Sequence, residues 1–142
     1  MPHFENCDGG ATEELVQEFE GHLGVKLPGD YRQYLLSHNG CSPDPYKFRV
    51  PGWGESLVNE LYGLGFDDYR SMDRAIERRV DLFIRTETIP IGSDPGGNGI
   101  LMGVARHNFG IVYFFDHEDS DQELFEVAPS FGHFIEHLFE SP

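Results

Sequence analysis

A chain of 142 residues, 39% hydrophobic and 13% aromatic, is the size of one domain and has enough apolar material for one core, which excludes disorder. Twenty-five acids against ten Lys and Arg give a formal charge of −15, a field that repels nucleic acid and anionic membranes and speeds encounter with basic proteins. No apolar run reaches the ~18 residues of a bilayer-spanning helix, and Met1 to Gly10 lacks the basic-then-apolar order of a secretory leader, so a cytoplasmic location is the default.

The first expected element is a helix from Glu13 to Leu23. Thr12 is placed to cap it, Glu13 and Glu14 suit the positive end of its dipole, and Gly24 can end it in the left-handed conformation. Leu15, Val16, Phe19 and Leu23 form its apolar stripe. Leu27-Pro28-Gly29-Asp30-Tyr31 begins a second helix, with Tyr31, Tyr34, Leu35 and His38 on its buried side and Asn39-Gly40 as the stop. The Pro- and Gly-rich stretch from Pro43 to Gly54 reads as strands and turns. A third helix is expected from Ser71 to Phe83, with Met72, Ile76, Val80 and Phe83 inward and Arg74, Arg78 and Arg79 towards solvent.

From Thr88 the period changes to two. Ile89-Pro90-Ile91, Ile100 to Val104, Ile111 to Phe115 and Leu124 to Val127 read as strands, with turns at 94–99 and 107–110. Ser130 then caps a last helix that turns Phe131, Phe134, Ile135 and Leu138 inward. Helices, then strands joined by hairpins, then a helix make an α+β fold: one domain over residues 1–142, with its core about 12–140 and an antiparallel sheet of four to six strands.

Cys7 and Cys41 match no zinc or redox spacing, and with a cytoplasmic default they are expected to be reduced. The 116–123 segment lacks the Gly and the flanking helices of a calcium loop. His133 and His137 are four apart on one helical face, but Phe134 stands where a metalloprotease needs its Glu, so both read as surface histidines. Asp94 to Gly99 opens a strand rather than a helix, so its glycines serve a turn and not a phosphate. No nucleophile elbow exists, and neither an enzyme nor any metal or cofactor is expected.

The order of four signatures resembles the SUKH superfamily. They are Leu27-Pro28-Gly29-Asp30-Tyr31-Arg32 with Tyr34-Leu35 and Asn39-Gly40; Ile89-Pro90-Ile91-Gly92 with Asp94 and Gly97-Asn98; Gly110 to Glu118; and Val127 to Phe131 with Phe134 and Leu138. Cys41 and Phe115 depart from the pattern, where a small residue and a Trp are common. The resemblance implies an α+β fold and, in bacteria, service as an immunity protein that binds and neutralises a toxin, often a nuclease. A eukaryotic branch instead regulates cell-wall assembly as a scaffold, so a non-enzymatic regulatory domain binding a cellular protein is the alternative. The matched positions are mainly turn and core residues, which identify a fold rather than a binding surface.

The charge is segregated. Residues 1–25 hold six acids and no Lys or Arg (−6), residues 107–142 hold eight and none (−8), and residues 26–106 hold eleven acids with all ten bases (−1). A basic protein partner, such as a cognate toxin domain, is therefore expected to meet Asp116, Glu118, Asp119, Asp121 and Glu123, with Glu14 and Glu18 as a second group. Acidity that merely keeps the chain soluble is the plainer explanation. Trp53, in Pro51-Gly52-Trp53-Gly54, is either an exposed anchor for that partner or a lid folded onto the core. No nucleic acid or membrane contact is expected, and the domain is read as a monomer or weak homo-oligomer.

Overall fold

A computed structural model describes residues 3–5, 7 and 9–140. Asp8, one of the N-terminal acids counted above, lies outside the described residues. In chain order the elements are β1 (His3–Glu5), α1 (Glu13–Leu23), α2 (Gly29–Ser37), β2 (Ser42–Asp44), β3 (Lys47–Val50), β4 (Gly54–Leu57), β5 (Glu60–Leu61), α3 (Met72–Arg78), α4 (Val80–Thr86), β6 (Thr88–Ser93), β7 (Gly99–Gly103), β8 (Val112–Phe115), β9 (Leu124–Ala128) and α5 (Phe131–Glu136). The fold is a single α+β domain around a five-stranded antiparallel sheet in the order β5-β6-β7-β8-β9; β1–β2 and β3–β4 form two separate ribbons.

Local chemistry sets the helix ends. The Thr12 hydroxyl accepts from the Leu15 amide at 3.2 Å, Ser71 accepts from Arg74, and Ser130 accepts from His133. Each satisfies a first-turn amide that has no partner within its helix. Gly24, with φ of 76°, closes α1 as the sequence predicts.

Alternation along the strands divides the sheet's two faces. Ile89, Ile91, Ile100, Met102, Val112 and Phe114 join Val16, Tyr31, Leu35 and Phe134 in the main core beneath α1, α2 and α5. Leu101 and Phe115 point the other way and meet Leu82 and Phe83 of α4 in a smaller cluster. Gly92 sits where a Cβ would come within 2.6 Å of the Glu60 carbonyl oxygen, so its lack of a side chain lets β5 pair with β6.

Two expectations are corrected. The third helix is not continuous: it breaks at Arg79, whose φ of −140° is not helical. An unbroken helix would set Arg79 on the same stripe as Met72, Ile76 and Phe83, facing the sheet. With the break Arg79 stays exposed, its guanidinium over the Phe115 ring at 5.2 Å from the centroid. Leu82 and Phe83 then cover the sheet, while Val80, expected inward, is 43% exposed.

The second correction concerns the cysteines. Cys7 and Cys41, expected as free thiols, form a disulfide with Cα atoms 4.7 Å apart. The reading rested on the reducing cytoplasm alone, whereas β1–β2 pairing brings the two residues together. The bond does not speak specifically for a cytoplasmic location. Among the described residues no helix is long and apolar enough to cross a membrane.

Candidate functional site

The acidic segment 116–123 links β8 to β9 and is fastened at several points. At its start the Trp53 indole donates to Asp116 Oδ2 at 3.0 Å, and the Glu118 amide donates to Asp116 Oδ1 at 3.0 Å. These bonds, Trp53 first, hold the Asp116 carboxyl below its ordinary value because they favour the charged form. The His117 amide donates to Asn98 Oδ1 at 3.1 Å, and the His117 ring meets the same oxygen at 2.7 Å. Within the loop, the Asp121 amide donates to Asp119 Oδ1. Near its end, Arg85 of α4 donates to Gln122 Oε1 at 3.1 Å. Glu118, Asp121 and Glu123 are exposed on this braced loop, and Asp119 is half-buried.

Trp53 stands between the two placements that the sequence leaves open, exposed and folded onto the core. Its ring lies against Phe114, with centroids 4.5 Å apart, yet 38% of the residue remains exposed beside the acids. Glu14 and Glu18 are exposed on α1, which packs against α2. Their neighbours Glu13 and Glu20 are engaged by Arg32 of α2. No hydrogen bond or ion pair among the described residues joins Glu14 or Glu18 to the 116–123 loop.

The other sequence candidates take structural places. Asp94 is buried, and its carboxylate accepts from the Gly96 and Asn98 amides, the Asn98 side chain and the Ser56 hydroxyl, which ties the β6–β7 turn together. His133 and His137 are exposed and stack ring on ring at 3.8 Å. Among the described residues no three His, Cys, Asp or Glu side chains are grouped to hold a metal ion.

One group escaped the sequence reading. Beside the Asp94 turn, on the sheet face that α4 covers in part, lies a groove of about 440 Å³ lined by Phe83, Leu101, Phe115, Glu60 and Tyr62. Glu60 is only 8% exposed. Burial, helped by the charge of Asp68, pushes its carboxyl up to about 7 despite Arg70 and Arg78 nearby. The available signal was an acid set in the apolar run Val58 to Leu64.

The signature residues have clear work in this frame. The buried Asn39 amide group donates to the Leu64 carbonyl and accepts from the Leu64 amide, at 2.9 and 2.8 Å. Asp94 and Asn98 fix the hairpin on which the acidic loop rests. The model of the SMI1/KNR4 family (SUKH-1) matches residues 10–137. The chain belongs to this family. It is also similar to the SPbeta prophage-derived uncharacterized protein YokK of Bacillus subtilis (strain 168), at 33% identity over 151 aligned positions covering 92% of this chain and 76% of the relative.

Proposed function

We propose that this SUKH-1 protein is an immunity-type binding protein that neutralises a basic toxin, of the nuclease kind, by covering the surface the toxin uses for nucleic acid. The braced acidic loop carries the reading. Its backbone is held before any partner arrives, through bonds at Asp116, His117 and Gln122, so little ordering entropy of the loop is lost on binding. Carboxylates at this density imitate a phosphate backbone and pair with the Lys and Arg that otherwise contact phosphate. Trp53, half open at the loop's edge, supplies the aromatic anchor that charge alone lacks. Family membership supports a binding role without catalysis, since SUKH proteins are generally immunity proteins.

The test is to co-express the chain with a nuclease-type toxin domain sought among the genes next to its own. The wild type protects the host, and the D119K/D121K/E123K variant loses protection and associates at least tenfold more slowly with the purified toxin domain. Unchanged association in that variant removes the loop from the interface. Capture of a cellular protein with no protection from any neighbouring toxin turns the reading to a regulatory scaffold.

A further inference from the structure

Among the described residues no hydrogen bond or ion pair engages the Glu60 carboxyl, which lines the groove on the second sheet face; Arg70 and Arg78 act on it only from a distance. Glu60 is more than nine-tenths buried. Buried carboxylates are ordinarily paired, because desolvation is costly unless a counter-charge or donors replace the water. The cations nearby do not fill that role at contact distance, and Arg70 is paired with Asp68. Arg79 lies over the Phe115 ring, and Arg78 is exposed and outside ion-pair distance of Glu60.

We infer that this groove receives a single arginine side chain of the basic partner, with its guanidinium on Glu60 and its stem along Phe83 and Leu101. The inference rests on the immunity reading for the partner's nature, but the pocket is distinct from the acidic loop. Charge complementarity decides the occupant: a chain of net charge −15 presents here a buried carboxyl without a contact partner, in a cleft that Phe83, Leu101 and Phe115 line together with polar groups. Guanidinium suits the place better than ammonium, because it is more weakly hydrated and stacks against aromatic walls such as Tyr62 and Phe115. His117 lies at the rim of the same groove and belongs to the acidic loop, so a peptide running along that loop passes the entrance. The loop would provide encounter, and Glu60 would choose one residue.

Because the entering cation needs the ionised carboxylate, binding is linked to proton release. The ionisable and charged groups facing Glu60 are Asp68 and Arg70 from the β5–α3 connection, Arg78 from α3, Arg79 at the break, and Asp94 and His117 across the groove. A raised carboxyl favours the protonated form, so affinity falls as the solution is acidified.

The experiment uses the whole chain, 15N-labelled, titrated with acetyl-Gly-Arg-Gly amide and separately with its citrulline analogue, which keeps the shape and removes the charge. The arginine peptide is expected to give saturable shifts at the amides of Gly92, Gly97 and Gly99, which line the groove, with affinity falling about thirtyfold from pH 8 to pH 5.5. The citrulline peptide gives none, and neither does E60Q. R78Q, which removes a cation from the groove's lining, binds several-fold more tightly. H117Q keeps the pH dependence, which separates the imidazole from the carboxylate. Equal shifts with both peptides, an undiminished response in E60Q, or weaker binding by R78Q overturns the inference. These readouts leave the carboxylates of the acidic loop unchanged, so loss of function on reversing its charges and failure of the groove to bind are separate results.

Discussion

A carboxylate's surroundings decide what it contributes, and three in this chain differ sharply. Asp116 is held charged by the Trp53 indole, Asp68 is pulled down to about 2 by Arg70, and Glu60 is raised to about 7 by burial. Only Glu60 changes charge near neutrality, and its effect on folding has a definite sign. Its ordinary value is 4.5, so between pH 4.5 and 7 the folded state keeps a proton that the unfolded state has released. Stability from this group is therefore full below pH 4.5, falls as pH rises to 7, and is flat above. The total decline is at most about 3 kcal/mol. Asp68 and Asp116 act in the opposite sense, but only in more acid solution, where their depressed carboxyls protonate. Urea unfolding of wild type and E60Q at half-unit steps from pH 5 to 8 isolates the effect. The stability of the wild type relative to E60Q should fall up to pH 7 and level off above it; parallel curves would mean that the folded carboxyl titrates as it does in water.

At the scale of elements, the Cys7–Cys41 bond fastens β1 to the body of the domain. It places Phe4 against Tyr34 and His38, with ring centroids 5.2 and 4.6 Å away, over an aromatic recess shared with Phe131 and Ile135. A three-residue ribbon such as β1–β2 is too short to persist by itself. The closed loop spans a separation of 34 residues, and freeing it costs about 3 to 4 kcal/mol by loop entropy. Reduction, or C41S, is expected to lower unfolding stability by that order and to speed amide exchange at Phe4 and Glu5. Unchanged exchange after reduction would show that the strand holds without its bond. The elements were legible where local signals agree. Thr12 and Gly24 mark both ends of α1, and alternation from Ile100 to Phe115 marks two paired strands. The disulfide was not legible because pairing of β1 with β2 is a long-range event that no spacing encodes. The break at Arg79 was missed because Val80 fits a helical stripe as well as it fits a restart. In the candidate site, the acidic loop could be read from composition. The Trp53–Asp116 bond could not, since it joins residues 63 positions apart, and neither could the burial of Glu60, which depends on how β5 docks against β6.

For the whole molecule, one field has two consequences that salt moves in opposite directions. Acids outnumber bases by twenty-five to ten, so even with Arg32, Arg70 and Arg74 in ion pairs, like-charge repulsion exceeds attraction. Much of the repulsion is close-range, because residues 107–142 carry eight acids without a Lys or Arg and the loop packs five of them into 116–123. Self-repulsion of this kind destabilises the compact state, while the same field draws in a basic partner. Raising ionic strength from about 0.01 to 0.1 M shortens the Debye length from about 30 to 10 Å, which silences repulsion across the molecule before it weakens contacts at ion-pair distance. The isolated protein should therefore gain a few degrees in melting temperature over that range of sodium chloride, too dilute for salt to act appreciably on apolar burial. Association with a basic partner should slow by an order of magnitude or more over the same range. Thermal scans and stopped-flow association in matched buffers test both. A melting temperature that falls with salt would mean that the ion pairs, not the acidic excess, dominate the folded state, and the partner's attraction would then need another source than charge.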